Sequence, residues 1–338
     1  MNLKKVGIIG CGKILVRHLE AIDNNDQYKL VSLCDSNQST LVAANQGRNV
    51  QTFLDYKDMV DQSNIDFVVI ATPNSLHYEQ AKYCLENGCD VLVEKPATLD
   101  PNLVRDLEAV AKANNREIYS VLQVRLNPVV QAVKKLVSTG LLGQIRGVSL
   151  VQRWQRPAEY FKDWRGVPNI GGGTLHECGV HYLDILCYLF GKPTVVATTT
   201  YNTKHKDVEI EDTIYSILDF GDYGGTIEVN ISSEPKNLEC SISLLTENGF
   251  IKLGGRGLDK VVECSFLENK YNLKNEYDKI MSKSKQSLAP NLYGNYAGSC
   301  PNHPELYSKL EKFKLPICYD SLDLIKEIYE KVGVNYSE

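Results

Sequence analysis

The sequence predicts an α/β protein in two parts: an N-terminal doubly wound parallel sheet, and a C-terminal α+β domain with a large, mostly antiparallel sheet. Three observations predict this. Over residues 1–120, short apolar runs alternate with amphipathic stretches, the pattern of parallel strands joined by crossover helices. One run, Phe67-Val68-Val69-Ile70-Ala71, is apolar throughout, as a strand covered on both faces requires. Past residue 124 the runs are strand-like and joined by turns such as Asp222-Tyr223-Gly224-Gly225, the mark of antiparallel neighbours.

Taken in order, Val6–Ile9 reads as a strand. Ile14–Ile22 is a helix with Leu15, Leu19 and Ile22 on one face. Strands follow at Leu30–Cys34, Phe67–Ala71, Val91–Val93 and Ile118–Leu122. Between them, Tyr78–Glu86 is a helix stopped by Asn87-Gly88, and Asp100–Ala113 is a helix with Pro101 in its first turn. The boundary falls at residue 122, giving domains 1–122 and 123–338. In the second part, Pro128–Ser138 is a helix closed by Gly140, and Thr174–Phe190 is a helix ended by Gly191 and Pro193. Strands are expected at Arg146–Arg156, Val195–Tyr201, Thr213–Asp219, Thr226–Ile231, Cys240–Leu245 and Phe250–Leu253. The polar stretch Lys270–Lys285 reads as a surface insertion, and Leu322–Tyr329 as a final helix.

Composition agrees. The 338 residues make two domains at about 150 residues each. With 43 % hydrophobic and 23 % charged residues, a disordered chain or a disulfide scaffold is excluded. A net charge of −5 lacks the basic footprint of a nucleic-acid binder and disfavours anionic membranes as partners. No run approaches the roughly 18 apolar residues of a membrane span. Met1–Gly10 has the basic start and apolar run of a signal peptide. The run is short, glycine-containing and broken by Lys13 and Arg17, so it reads as the first strand. Ten scattered cysteines without a CxxC pair fit reduced thiols and a cytoplasmic location, and no metal cluster is indicated.

Gly10-x-Gly12 sits between the first strand and the first helix. Its glycines allow a tight turn and close backbone approach, and the helix N-terminus attracts a pyrophosphate. Leu15 stands where the third small residue of this fingerprint belongs, and Asp35 ends the second strand. A carboxylate there accepts hydrogen bonds from ribose hydroxyls and repels a 2′-phosphate, so NAD is favoured over NADP. The first domain is thus read as an NAD-binding Rossmann domain with Gly10, Gly12, Lys13, Ile14 and Asp35 at the cofactor. Two further loops end strands on the same edge, Thr72-Pro73-Asn74 with His77, and Glu94-Lys95-Pro96, so Thr72, Asn74, His77, Glu94 and Lys95 are also expected at the cofactor. Asn74 and His77 also fit a capping role for the next helix.

These segments carry a resemblance. GIIGCGKI at 7–14, ATPNSLH at 71–77, EKP at 94–96 and GGGTLHECGVHYLD at 171–184 resemble the Gfo/Idh/MocA oxidoreductases. NHPELY at 302–307 also looks like that family, and the resemblance covers nearly the whole chain. It implies oxidation or reduction of a sugar or cyclitol carbon with NAD(P), and catalytic roles for Lys95, Glu177 and His181. Chemically, a histidine suits transfer of the hydroxyl proton, and a lysine holds the oxygen as charge develops. The family usually has aspartate where this chain has Glu177. Thr174 and Glu177 also fit a capping box, so capping and catalysis both stand for Glu177. Asp184 either orients His181 or pairs on the surface. His176 is expected at the substrate, as are Lys95 and His181.

Gln152–Arg165 holds both tryptophans, Trp154 and Trp164, with Arg153, Arg156, Tyr160, Phe161 and Arg165. Aromatic faces suit sugar rings, and arginine forks suit phosphates and carboxylates; an ordinary strand with core aromatics is the other reading. Arg153, Arg156 and Trp164 are therefore substrate candidates. The resemblance places the Trp164-Arg165-Gly166 turn near the cofactor as well. Gln123, Arg125 and Asn127 leave the first domain where a cleft is expected: Gln123 toward the cofactor, Arg125 and Asn127 toward substrate, unless they make domain-junction hydrogen bonds. Within the family, FKDWRG…GGG looks most like the nucleotide-sugar 3-dehydrogenases. These oxidise C3 of a UDP-linked N-acetyl sugar or its uronic acid, for amination by a partner aminotransferase in surface-sugar pathways. An inositol or simple-sugar dehydrogenase, an NAD-dependent glycosidase and a non-catalytic NAD(P)-binding regulator are the alternatives. Intact Lys95 and His181 argue against the last. A sheet covered by helices on one side only leaves an apolar face, so a homodimer or homotetramer is expected.

Overall fold

The structure, a computed structural model, describes residues 3–284, 292–293, 296–297 and 299–336. The first sheet contains β1 (Lys4–Ile9), β2 (Tyr28–Cys34), β3 (Gln51–Phe53), β4 (Phe67–Ile70), β5 (Asp90–Val93) and β6 (Ile118–Ser120). All its pairings are parallel, in the order β3-β2-β1-β4-β5-β6. Crossovers run through α1 (Leu15–Asp23), α2 (Gln38–Asn45), α3 (Tyr56–Gln62), α4 (His77–Glu86) and α5 (Pro101–Ala113). The order reverses between β1 and β4, where the strand C-termini open a crevice. Every side chain of β4 is fully buried, as its uniform apolarity requires. Leu15, His18, Leu19 and Ile22 form the buried stripe of α1.

Three elements between Asp35 and Phe67 were not anticipated: α2, β3 and α3. Their starts were nevertheless marked. Asn37 accepts from the Ser39 and Thr40 amides, and Asp55 from the Lys57 amide, ordinary N-caps.

The second part begins with α6 (Pro128–Ser138), β7 (Ile145–Arg153), α7 (Pro168–Gly171) and α8 (Val180–Phe190). It continues with β8 (Thr194–Tyr201), β9 (Thr213–Asp219), β10 (Gly224–Asn230), β11 (Glu239–Thr246), β12 (Gly249–Gly254) and β13 (Lys260–Phe266). Then come α9 (Tyr271–Ser282), the two-residue strands β14 (Leu292–Tyr293) and β15 (Tyr296–Ala297), α10 (His303–Ser308) and α11 (Tyr319–Glu330). The large sheet runs β13-β12-β11-β7-β10-β9-β8, antiparallel except for the β7–β10 pair. Val148, Leu150, Ile227, Val229 and Ile242 point to one face and share a core with α8. The other face shows Val196, Tyr201, Tyr215 and Ile217, all exposed. That is the period-two alternation of a sheet covered on one side.

The structure corrects several element readings. The stretch read as a surface insertion forms α9: Leu273, Tyr277 and Ile280 are buried on one side of it, and it packs on α6. Their spacing of four and three is helical, masked by the surrounding lysines; Lys285 lies outside the described residues. Gly224 and Gly225 belong to β10 rather than to the turn before it. β13 was missed because no residue of this edge strand is fully buried and exposed Val262 and Glu263 break the alternation. Finally, α10 crosses back to pack against α1, so the end of the chain braces the first domain.

Candidate active site

A cavity of about 680 Å³ runs along the C-terminal ends of β1, β2, β4 and β5 and under the second domain. At one end is the β1–α1 turn. Gly10 has φ +95°, and a Cβ there would stand 2.5 Å from the Ala71 carbonyl oxygen, so only glycine lets the turn approach β4. At Gly12 a Cβ would meet nothing within 4 Å: the backbone is open to the cavity, as a phosphate cradle requires. Lys13 and Ile14 line it beside the glycines. The Asp35 carboxylate accepts the amides of Cys11 and Asn37, each at 2.8 Å, which fixes it at the cavity wall. These features fit a dinucleotide, with ribose at Asp35 and pyrophosphate at Gly12. Leu54, Asp55 and Tyr56 close this end. Sequence reasoning missed them because β3 was unrecognised.

The middle is formed by the other two loops. Thr72 and Asn74 line the cavity, and Asn74 donates to the Gly171 carbonyl at 2.8 Å. His77 does not reach it. Its ring is fully buried between the Pro96 and Thr72 carbonyls, at 2.8 and 3.0 Å, tying the loops together. Gln123 lines the cavity with its side-chain oxygen unpartnered and buried, a polar group suited to a ligand.

The reactive end gathers Lys95, Glu177 and His181. Lys95 Nζ donates to the Glu177 carbonyl at 2.9 Å and stands 3.6 Å from its carboxylate. Glu177 also accepts Arg165 Nε at 3.1 Å and the Tyr160 hydroxyl at 2.5 Å. Burial alone raises the Glu177 pKa, but Lys95, Arg165 and the Tyr160 hydrogen bond outweigh it and hold it below the usual range. The carboxylate is therefore ionised. The capping-box reading fails: Thr174 has helical dihedrals and makes no side-chain cap bond, and its hydroxyl donates to the Glu211 carbonyl instead. The helix begins with a π turn, Leu175–Gly179, before α8. Such bulges are frequent at functional sites, and this one carries Glu177. His181 is buried, and its pKa is pushed down to about 3 by desolvation and then by the Lys95 cation. It is a neutral imidazole at ordinary pH.

Trp154, Arg156, Tyr160, Trp164 and Arg165 complete the wall. Arg156 lies over the Trp154 ring, 4.6 Å from its centroid, and Arg165 over Trp164 at 4.4 Å. Tyr160 was noted only as an aromatic; its bond to Glu177 makes it part of the site.

Four substrate assignments do not hold. Arg125 forms a two-pronged ion pair with buried Asp184, at 2.8 and 2.6 Å. Neither reaches the cavity, so Asp184 does not orient His181 and is not on the surface. Asn127 caps α6 and donates to the Gly257 carbonyl. Arg153 points away, paired with Glu228 and Glu239, since successive strand residues alternate faces. His176 is buried between the Gly172 and Leu99 carbonyls.

Beyond Trp154 and Ser299, which both cavities share, a second cavity of about 520 Å³ opens between β11, β12 and β13. Lys252, Arg256 and Lys260 line it with Glu239 and Asp259. Lys252 is paired with Glu239 at 2.9 Å. Arg256 and Lys260 form no ion pair among the described residues.

Residues 4–122 match the model of the oxidoreductase family with an NAD-binding Rossmann fold, and residues 130–252 match the GFO/IDH/MocA C-terminal domain. The WlbA dehydrogenase from Bordetella pertussis, crystallised with NADH and UDP-GlcNAcA, is 29 % identical over 98 % of this chain and 97 % of its own, with a TM-score of 0.84. Its counterpart from Chromobacterium violaceum, with the same ligands, is 26 % identical over 98 % and 94 %, with a TM-score of 0.85. The NADP-dependent scyllo-inositol 2-dehydrogenase of Bacillus subtilis is 28 % identical over 66 % of this chain, a match spanning 63 % of that relative's length. No helix among the described residues is long and apolar enough to cross a membrane. With both domains matched in sequence and the two sheets joined in the order described, the chain belongs to the Gfo/Idh/MocA oxidoreductase family.

Proposed function

We propose that the protein uses NAD to oxidise a secondary hydroxyl, C3, of a UDP-linked N-acetyl sugar or its uronic acid. The ketosugar would supply an amination step in surface-polysaccharide or lipid A biosynthesis. One observation carries the reading beyond the family: the cavity holding Lys95 and His181 shares Trp154 and Ser299 with a neighbouring pocket lined by Arg256 and Lys260. A free cyclitol has nothing to place there. A diphosphate does, and arginine suits it. The two WlbA dehydrogenases, crystallised with UDP-GlcNAcA, support the same class.

NAD, when bound, supplies the hydride acceptor. The Lys95 ammonium holds the substrate oxygen, and His181 accepts the hydroxyl proton. His181 is depressed first by desolvation and then by the Lys95 cation; the charge growing on the substrate oxygen offsets the second of these, so the imidazole gains basicity as the proton moves. Glu177, held ionised by Arg165 and Tyr160, keeps the Lys95 side chain in place. An NAD preference follows from Asp35; the inositol relative's use of NADP is not expected here. The assembly is proposed to be a homodimer or homotetramer joined through the face bearing Tyr215 and Ile217.

Calorimetry with UDP tests the pocket. UDP is expected to bind wild type, and Arg256→Ala is expected to weaken it about tenfold or more, as loss of a charged hydrogen bond does. Equal affinity in both proteins would remove the pocket as the diphosphate site.

A further inference from the structure

Sequence spacing gave no sign that His18, Glu94 and His303 meet, yet the fold buries them together. They come from three places: His18 from α1, Glu94 from the loop after β5, and His303 from α10 at the far end of the chain. One Glu94 oxygen lies 3.1 Å from His18 Nε2 and 3.4 Å from His303 Nε2. The other accepts the backbone amide of Lys95 at 3.1 Å. His18 Nδ1 is 2.9 Å from the Tyr307 hydroxyl. Both histidines are placed to donate from Nε2 to the first Glu94 oxygen, and His303 Nδ1 is buried without a hydrogen-bond partner.

We propose that His18 and His303 are positioning residues: they fix the Glu94 carboxylate, whose second oxygen holds the Lys95 amide, and so set where the Lys95 ammonium stands in the cavity. This rests on the reading of Lys95 as the group that holds the substrate oxygen.

The arrangement is hard to explain as packing alone. A buried carboxylate carries a desolvation cost that an apolar side chain of similar size avoids. Here the hydrogen bonds from His18 and His303 overcome burial and keep Glu94 ionised. The clamp also joins the working parts. His18 lies on the helix whose N-terminus forms the dinucleotide cradle, Glu94 adjoins Lys95, and α10 packs across α1. The residue types would also suit a metal ion. Hydrogen bonds link the three residues, and the bond between His18 Nδ1 and Tyr307 leaves both Nε2 atoms turned to Glu94, so the metal content of the purified protein decides between the two readings.

The test compares full-length wild type with His303→Leu and His303→Gln; glutamine places an amide N–H near the position of Nε2. Lys95 acetylation is followed over time by mass spectrometry and NADH affinity by fluorescence. Neither needs a sugar, so failure here is separable from failure of the substrate assignment. His303→Leu is expected to acetylate Lys95 several-fold faster at unchanged NADH affinity, because the side chain leaves the Glu177 carbonyl. His303→Gln is expected to restore the wild-type rate. On whichever sugar wild type oxidises, kcat of the leucine variant should fall about tenfold, the usual effect of a group behind the reacting shell, with KM for NAD little changed. If His303→Leu does not fold, Glu94→Gln, which keeps the shape but removes the charge, is expected to behave as described for it. Equal labelling in all variants, parallel loss of NADH binding, or stoichiometric metal in purified wild type would each overturn the proposal.

Discussion

Glu177 shows how much a single side chain's meaning depends on its surroundings. In sequence it could cap a helix or serve the chemistry; in the fold it is surrounded by Lys95, Arg165 and Tyr160. Lys95, His181 and Asp35 all line the cavity: Asp35 and Lys95 from the loops that follow β2 and β5, His181 from the first turn of α8. Arg125 and Arg153 were not legible. Their partners, Asp184 and Glu228, lie 59 and 75 positions away, and nothing local announces such a pairing. Substitution separates the roles. Lys95→Met is expected to lower kcat by about 10²–10³ with NADH affinity retained, measured by steady-state kinetics and fluorescence titration; unchanged kcat would remove Lys95 from the chemistry. Asp35→Ser is expected to tighten NADP binding about tenfold or more, by removing the charge that repels a 2′-phosphate, read as the ratio of the two cofactors' Kd values.

At the scale of elements, the apolar β4 and the amphipathic α1 were readable because periodicity alone determines their burial. The start of the α8 segment was not. The π turn there follows from what packs around it: Gly172 and Gly173 at φ +80° and +77°, and Tyr329 with Tyr336 pressed against Gly173. A Cβ on Gly173 would stand 2.6 Å from the Tyr329 hydroxyl, which itself donates to Glu211. Gly173→Ala is therefore expected to cost about 1–3 kcal/mol, measured by urea unfolding, and to lower kcat because the turn carries Glu177. Full activity and stability would mean the turn tolerates another shape. α9 was misread for a different reason: its three buried residues obey helical spacing, but lysines and acids dominate the composition around them.

At the scale of the whole molecule, both sheet types were legible, but α10 crossing back onto α1 was not, since contacts so distant in sequence leave no local pattern. The net charge of −5 is compatible with anionic ligands because helix N-termini, Lys95 and Arg256 supply positive potential locally. The buried histidines give the molecule an acid-sensitive range. Burial holds His176 at about 4 and His181 at about 3 when folded, against about 6.5 when unfolded. Between those values the unfolded chain binds more protons, so stability falls as pH drops below about 6.5, by roughly 2 kcal/mol per histidine at pH 5. Glu94 and Glu177, whose pKa values are lowered, add their own loss only below about 4.5. Urea unfolding at pH 7.5 and 5 should show the difference, and His176→Asn should shrink it; identical stability at both values would contradict the burial argument. The exposed sheet face predicts an oligomer, and Ile217→Glu should shift size-exclusion elution toward monomer. The central claim is tested most directly by NADH formation at 340 nm with a panel of sugars. NAD reduction by a UDP-linked N-acetyl sugar or its uronic acid, and not by free inositol or glucose, is predicted; turnover of the free sugars without the UDP-linked ones would contradict it.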